Sequence, residues 1–330
     1  MRAVTLVEPG LVVVDETWPE PVGGPDEVIV EIQGVGLCGS DLSVVAGHRA
    51  VPTRPWVLGH EGYGVIVSVG AQVTDRQPGQ VVVIEPNYPC RQCPPCRSGA
   101  TSGCQKRRIV GITEPGLLAE KIAVPADFAW PVPAHLAAED IVCVEPLSVA
   151  LHAVDLARVE VGERVLVLGA GSQGQLVALA ASRLGAQVHV IDPHRGRLEL
   201  ARSLGALDDD AGDYPIVIET SGVPSAFEQA IDRAAPGGRV VVVGQSSSPA
   251  AVSTFALVQR RLTIHGCLIY DHPGGFARTI AALSDSELRP GRVLRTRFDV
   301  ADAARAFAEA ADQAGKTWIT FTSPFEERTR

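Results

Sequence analysis

Val165-Leu166-Val167-Leu168-Gly169-Ala170-Gly171-Ser172-Gln173-Gly174 decides how this chain folds. Four apolar residues in a row fit a strand buried on both faces, and G-x-G-x-x-G follows them directly. Residues 175–184 then read as a helix rich in alanine and leucine. In a chain with 33 glycines the pattern alone is weak, but between a strand and a helix it reads as a dinucleotide turn. Gly169 allows the tight turn, Gly171 lets backbone amides approach a pyrophosphate, and Gly174 lets the helix pack on the strand. Ser172 and Gln173 complete the turn, and the free N–H groups and partial positive charge of the helix that it opens favour phosphate. Asp192 follows the next strand, 23 residues after Gly169. An acid there accepts hydrogen bonds from ribose hydroxyls and repels a 2′-phosphate, which favours NAD over NADP. Arg197 opens the following helix and faces adenine or solvent. Thr220 and Gly244 end later strands, whose carboxyl ends line the cofactor crevice in such sheets.

Outward from this turn, strand and helix alternate through 188–191, 197–204, 216–219, 226–234 and 239–243. That order predicts α/β architecture with a doubly wound parallel sheet. Residues 276–283 and 301–311 read as helices, and 318–322 as a last strand. Residues 1–85 differ. Valine-rich stretches at 11–14, 28–32, 64–69 and 80–84, parted by Pro and Gly, predict a compact β-rich unit.

With 330 residues, 46% hydrophobic and 20% charged, the chain suits two ordinary globular domains. A net charge of −9 and no basic cluster argue against nucleic acid or anionic membrane as partners. Apolar runs are short and broken by glycine, so no membrane span is expected. The N-terminus reads as a charged strand, which points to a cytoplasmic protein. Lysine occurs only at 106, 121 and 316, which reads as coding bias without functional meaning.

Cysteine usage is more informative. Four of the seven cysteines fall between Cys90 and Cys104, as Cys90-x2-Cys93-x2-Cys96-x7-Cys104. In a reducing compartment such crowding indicates metal. Zinc fits best, an iron–sulfur cluster being the alternative. Four protein ligands would make this ion structural, a staple for a loop too long to stand alone. Elsewhere, Gly59-His60-Glu61-Gly62 sets an imidazole beside a carboxylate, and Cys38 lies in a glycine-rich turn upstream. Thiolate, imidazole and carboxylate are the ligand types zinc takes.

These pieces, with Glu145-Pro146-Leu147-Ser148, fall in one order along nearly the whole chain. In that order the chain resembles the zinc-dependent medium-chain alcohol dehydrogenases. Glu-Pro-Leu-Ser resembles their polyol branch, the sorbitol, threonine and aminocyclitol dehydrogenases. The resemblance implies a GroES-like β-rich catalytic domain, residues 1–151 and 272–330, around a Rossmann NAD-binding domain, residues 152–271. It implies two zinc ions per chain. Cys38 and His60 would hold the catalytic ion with Glu61 or Glu145 as third ligand, the other carboxylate holding a water. Ser40 resembles the hydroxyl that hydrogen-bonds the substrate oxygen and begins proton removal. The implied reaction moves hydride from a secondary alcohol (polyol, cyclitol or amino-alcohol) to NAD. A primary-alcohol dehydrogenase, a carbonyl reductase and a non-catalytic nucleotide-binding relative are the competing readings. Homo-dimers or homo-tetramers are implied too. Three features depart from the family. Ser43 stands where many relatives carry a proton-passing histidine, with His48 nearby. The stretch 46–55 is short. Ile269 replaces the arginine of sorbitol dehydrogenases, beside a retained Tyr270. Trp56, Ile112, Glu120 and Tyr270 are the expected pocket-lining residues.

Overall fold

The structure is a computed structural model that describes residues 1–284 and 288–321. Residues 322–330, which the sequence reading assigns to the first domain, lie outside the described residues, as does the end of the strand expected to reach 322. The chain divides into two compact units, Met1–Glu145 with the segment from Leu294 onward, and Pro146–Val293. The second junction therefore falls at 293/294, where the sequence reading put it at 271/272. The helix Gly274–Ser284 is tied to the second unit: Ser148 Oγ donates to Thr279 Oγ1 at 2.9 Å, and Phe276 packs on Tyr270. The first junction, read at 151/152, falls at 145/146, inside the helix Val144–Ala157.

Among its described residues the second unit holds a six-stranded, all-parallel sheet. Numbered in chain order, its strands are Arg164–Leu168, Gln187–Ile191, Leu207–Asp208, Tyr214–Glu219, Ala234–Val242 and Thr263–Gly266, and they lie 3-2-1-4-5-6. This is the doubly wound order, with its switch point between the first and fourth strands. Val165, Leu166, Val167 and Leu168 are buried, as their unbroken apolar run requires. The helix after the glycine turn begins at Ser172, three residues before the apolar pattern does. The edge strand Thr263–Gly266 carries little apolar signal and was not expected.

In the first unit, strand Glu27–Gly36 is the hub of a seven-stranded sheet, pairing with Glu61–Val69, Lys121–Pro125 and Lys316–Thr320. Its inward residues Val28, Val30 and Ile32 alternate along the pleat and, with Val35 beyond a register shift after Ile32, enter the unit's main apolar core. Register at its far end decides the chemistry. Gly36 lies opposite Glu61 on one side and Trp318 on the other, two residues before Cys38. Strand pairing thus brings Glu61 and Lys316 to the end of the chain segment that carries Cys38. A smaller sheet of Leu11–Asp15, Ala3–Glu8 and Trp56–Val57 completes the β-rich unit.

Candidate metal centres and nucleotide turn

Cys38 caps the short helix Gly39–Val45, and His60 and Glu61 sit where strand Glu61–Val69 begins. One ligand atom from each of these three residues lies within 4.8 Å of the others. Asp41 ties them together. Its Oδ2 accepts the Cys38 backbone N–H at 3.0 Å, and its Oδ1 lies 3.0 Å from His60 Nδ1. Asp41 is fully buried, so this carboxylate is committed to the two ligand-bearing residues. A proton on Nδ1 donates to Asp41 and leaves Nε2 as the free lone pair, the arrangement found behind most metal-binding histidines. Burial works against a charged imidazole, but the Asp41 carboxylate outweighs it and raises the His60 pKa well above the ordinary value. A more basic imidazole is a stronger ligand. Ser40 Oγ lies 3.4 Å from His60 Nε2, so its hydroxyl sits at the same edge of the cluster.

Composition assigns Lys316 no role, and the structure gives it a central one. Lys316 is 2% exposed, its ammonium pairs closely with Glu61 Oε2, and Nζ donates to Leu37 O at 3.0 Å. Burial alone would discharge a lysine, but Glu61 first and Cys38 next raise its pKa above the usual range. The ion pair needs Gly36 beside it: a Cβ there would stand 2.7 Å from both Glu61 Oε2 and Lys316 Cε. Glu145, the other carboxylate named from the sequence, is buried in the first turn of Val144–Ala157 and lies outside the cluster of three.

The four cysteines also converge. All four sulfurs lie within 4.8 Å of one another, with Cys93 to Cys96 at 3.4 Å and Cys90 to Cys96 at 4.0 Å. Two thiolates on one tetrahedral zinc, at about 2.3 Å each, lie about 3.8 Å apart. One ion therefore fits this set, whereas an iron–sulfur cluster would spread its thiolates around several metals. Backbone N–H groups of Gln92 and Cys93 hold the Cys90 thiol down to about 6, which prepares it as a thiolate ligand.

At the nucleotide turn, Gly171 caps the helix Ser172–Arg183, and nothing lies within 4 Å of where its Cβ would be. The backbone is open to close approach by a phosphate there. Gln173 does not face that opening with its amide, since its Nε2 donates to Pro146 O at 3.1 Å. Asp192 is buried at the end of its strand, with Oδ2 accepting from Ala170 N and Oδ1 from His194 N, each at 2.7 Å. Its carboxylate is fixed against the glycine turn. Arg197 lies in the first turn of Arg195–Ser203, and its backbone N–H donates to His194 Nδ1. Thr220 Oγ1 lies 2.9 Å from Gly169 O and 3.1 Å from Leu168 O. Gly244 packs so tightly that a Cβ would meet Gly222 N at 2.0 Å.

The expected pocket-lining residues fare differently. Trp56 and Ile112 belong to the buried core, where Trp56 Nε1 donates to Gly111 O at 2.9 Å. Glu120 is held by Arg2, whose backbone N–H and Nε each donate to it at 2.8 Å. Tyr270 is buried against Phe276. Ser43 accepts the backbone N–H groups of His48 and Arg49 through its carbonyl, and His48 is exposed. Two site residues escaped the sequence reading. Asp41 lies three residues after Cys38, and that spacing from an N-capping residue was the signal for a reciprocal cap. Lys316 carried no local signal.

Comparison with known proteins matches residues 24–134 to the alcohol dehydrogenase GroES-like domain and residues 174–285 to the zinc-binding dehydrogenase domain. D-xylulose reductase of Scheffersomyces stipitis is 32% identical over 308 residues, covering 84% of each chain. A solved alcohol dehydrogenase from Escherichia coli CFT073, complexed with NADH, superposes with a TM-score of 0.89 at 27% identity over 97% of this chain and 99% of its own. A zinc-binding dehydrogenase structure from Sinorhizobium meliloti 1021, bound to NADP, gives 0.89 at 29% identity over 97% and 98%.

Proposed function

The chain belongs to the zinc-dependent medium-chain alcohol dehydrogenase family, and from that premise we propose that it oxidises a polyol-like secondary alcohol with NAD at Cys38, His60 and Glu61. One observation carries the assignment of the site: a thiol, an imidazole and a carboxylate converge within 4.8 Å, cross-tied by a buried aspartate. Zinc held there supplies a Lewis acid that polarises an alcohol oxygen and eases loss of its proton. The protein's own groups do the rest. Asp41 orients His60 and makes it a better donor. Lys316 holds one oxygen of Glu61 and leaves the other for the metal, and Glu145 serves outside the ligand set. Ser40 would hydrogen-bond the alcohol oxygen and relay its proton, accepting it as the serine's own hydroxyl proton passes to solvent water. The products are a ketone, NADH and a proton. The four converging thiols of the cysteine loop would hold a second, structural zinc.

The reading of NAD over NADP is supported by Asp192, an acid at the end of the second strand whose carboxylate is held against the glycine turn and would repel a 2′-phosphate. Gly169, Gly171, Ser172, Gln173, Gly174, Arg197, Thr220 and Gly244 make up the rest of the cofactor site. The preference for a polyol rests on the Glu145-Pro146-Leu147-Ser148 stretch and on the likeness to D-xylulose reductase. We also infer a homo-oligomer in which a second copy covers Phe255, Val258, Ile264 and Leu268. These apolar side chains are 73%, 71%, 38% and 48% exposed on and near the edge strand Thr263–Gly266. A cytoplasmic setting suits seven cysteines without a disulfide among the described residues, and no helix of the described residues is long and apolar enough to cross a membrane. The test is a panel of secondary alcohols, polyols and primary alcohols with NAD or NADP, read by reduced-cofactor absorbance, on protein assayed for zinc. Turnover confined to primary alcohols, or to NADP, would overturn the substrate or cofactor assignment.

A further inference from the structure

Glu219 is a carboxylate that the chemistry above does not use, yet it is 1% exposed at the end of the fourth strand of the parallel sheet. Its Oε1 accepts three hydrogen bonds, from Ser221 N at 2.6 Å, Ser221 Oγ at 2.5 Å and Gly222 N at 3.0 Å. Three donors on one oxygen suit an ionised carboxylate and fix the turn that follows. The Glu219 carbonyl accepts Val243 N–H at 2.8 Å and Gly244 N–H at 3.1 Å, so the same residue anchors the turn after the fifth strand. Its neighbour Thr220 reaches the other way. Thr220 N donates to Leu168 O at 2.9 Å, and its hydroxyl serves the Leu168 and Gly169 carbonyls.

The packing around these bonds has no slack. A Cβ on Gly174 would stand 1.8 Å from Gly169 O and 2.8 Å from Thr220 Oγ1. One on Gly169 would stand 3.0 Å from Ser221 Cβ. The glycine turn is therefore seated on the 219–222 turn, across the switch point between the first and fourth strands. Amides that must present themselves together to a pyrophosphate bind it best when already fixed, since ordering them on binding weakens affinity.

We propose that Glu219 and Thr220 act as a positioning pair for the dinucleotide, Glu219 fixing the 220–222 turn and Thr220 locking the Gly169 carbonyl so that the glycine turn is preset. The proposal rests on the reading that this turn binds NAD. Neither side chain needs to touch the cofactor. Glu219 acts through Ser221, Gly222 and Thr220, and Thr220 acts through Gly169.

The experiment titrates NADH into zinc-loaded wild type and the variants Thr220→Val, Glu219→Ala and Glu219→Gln, following nucleotide fluorescence. Steady-state KM and kcat are measured alongside. Thr220→Val keeps the shape and loses the hydroxyl, so it should raise the NADH Kd about tenfold. Glu219→Ala should raise it at least as much, and Glu219→Gln, which keeps an acceptor oxygen, should recover most of the loss. In the Glu219 variants KM for NAD should follow Kd while kcat and the alcohol KM stay within about twofold, a split that a merely structural role would not produce. Thr220→Val with Glu219→Ala should cost less than the product of the two, since both act on one turn. An NADH Kd within twofold of wild type in folded Thr220→Val and Glu219→Ala overturns the proposal. If Glu219→Ala does not fold, Thr220→Val alone decides. Failure of wild type to bind either nucleotide overturns the cofactor reading itself.

Discussion

Cys90, Cys93, Cys96 and Cys104 come from one short stretch of chain, whereas Cys38, His60 and Glu61 depend on a partner, Lys316, whose contact with Leu37 spans 279 residues. The two metal sets share their chemistry and differ in what holds them. In the cysteine lobe the helical segments Pro94–Arg97 and Thr101–Gly103 are four and three residues long, and neither contributes to the main apolar core. Little besides sulfur and metal can order such a loop. The other set is built into a sheet. Gly36 and Glu61 are paired in register, Asp41 binds Cys38 and His60, and Lys316 neutralises Glu61. A site made that way is held by backbone pairing, hydrogen bonds and an ion pair that do not run through the ion. It can therefore leave a coordination position for substrate, which a closed staple cannot.

The comparison breaks most decisively at the ligands themselves. His60→Ala or Cys38→Ser should lower kcat/KM by at least about 1,000-fold, because several kcal/mol of polarisation are lost. The thermal midpoint should move little, and the four-cysteine lobe should keep its zinc. Retained turnover in either variant would remove the catalytic assignment. Cys96→Ser should act in reverse. One zinc should disappear, and limited proteolysis should cut between residues 90 and 108, since structural zinc in small motifs contributes about 10–16 kcal/mol to folding. A Cys96→Ser protein that resists protease as wild type does would show that the lobe folds without its metal.

How far each region could be read from sequence follows the same division. The cysteine lobe is a local pattern, so spacing alone picked out the four sulfurs that the fold brings within 4.8 Å of one another. The parallel sheet was also legible, because a strand buried on both faces has a continuous apolar run and the glycine turn marks its end. Element ends were less so. The helix Ser172–Arg183 begins in polar residues, which periodicity does not register. Residues 274–284 looked like a return to the first domain once alternation stopped, but buried contacts through Thr279 and Phe276 hold them in the second. At the catalytic cluster, ligand types were visible and their supports were not. Lys316 is a lone lysine in a short strand, and only the register of three strands reveals that it faces Glu61. Glu120 and Trp56, expected at the pocket, carry hydrogen bonds that sequence does not show, to Arg2 and to the Gly111 carbonyl.

Lys316 sharpens the contrast further. Lys316→Met removes one partner of a buried pair and leaves the Glu61 charge uncompensated, a change that costs about 3–5 kcal/mol. The thermal midpoint should fall by roughly 5–15 °C, far more than for His60→Ala. Adding Glu61→Gln removes the stranded charge, so the double variant should recover much of that midpoint while turnover stays low. If Lys316→Met melts within about 2 °C of wild type, the ion pair is not what holds this end of the sheet.

Asp41 offers the finest separation, since it supports ligands without being one. Asp41→Asn keeps size and can still accept from Cys38 N–H, but an amide holds His60 Nδ1 less firmly and no longer raises its basicity. Zinc affinity measured by chelator competition should drop about 10- to 100-fold, with a parallel loss in kcat/KM. The cysteine lobe should be untouched, so one zinc per chain should become easier to remove and the other should not. Equal loss from both sites would mean that Asp41 acts on the stability of the unit as a whole. Selective loss would establish that the open site is held by a hydrogen-bonded frame, where the closed one is held by its four thiolates.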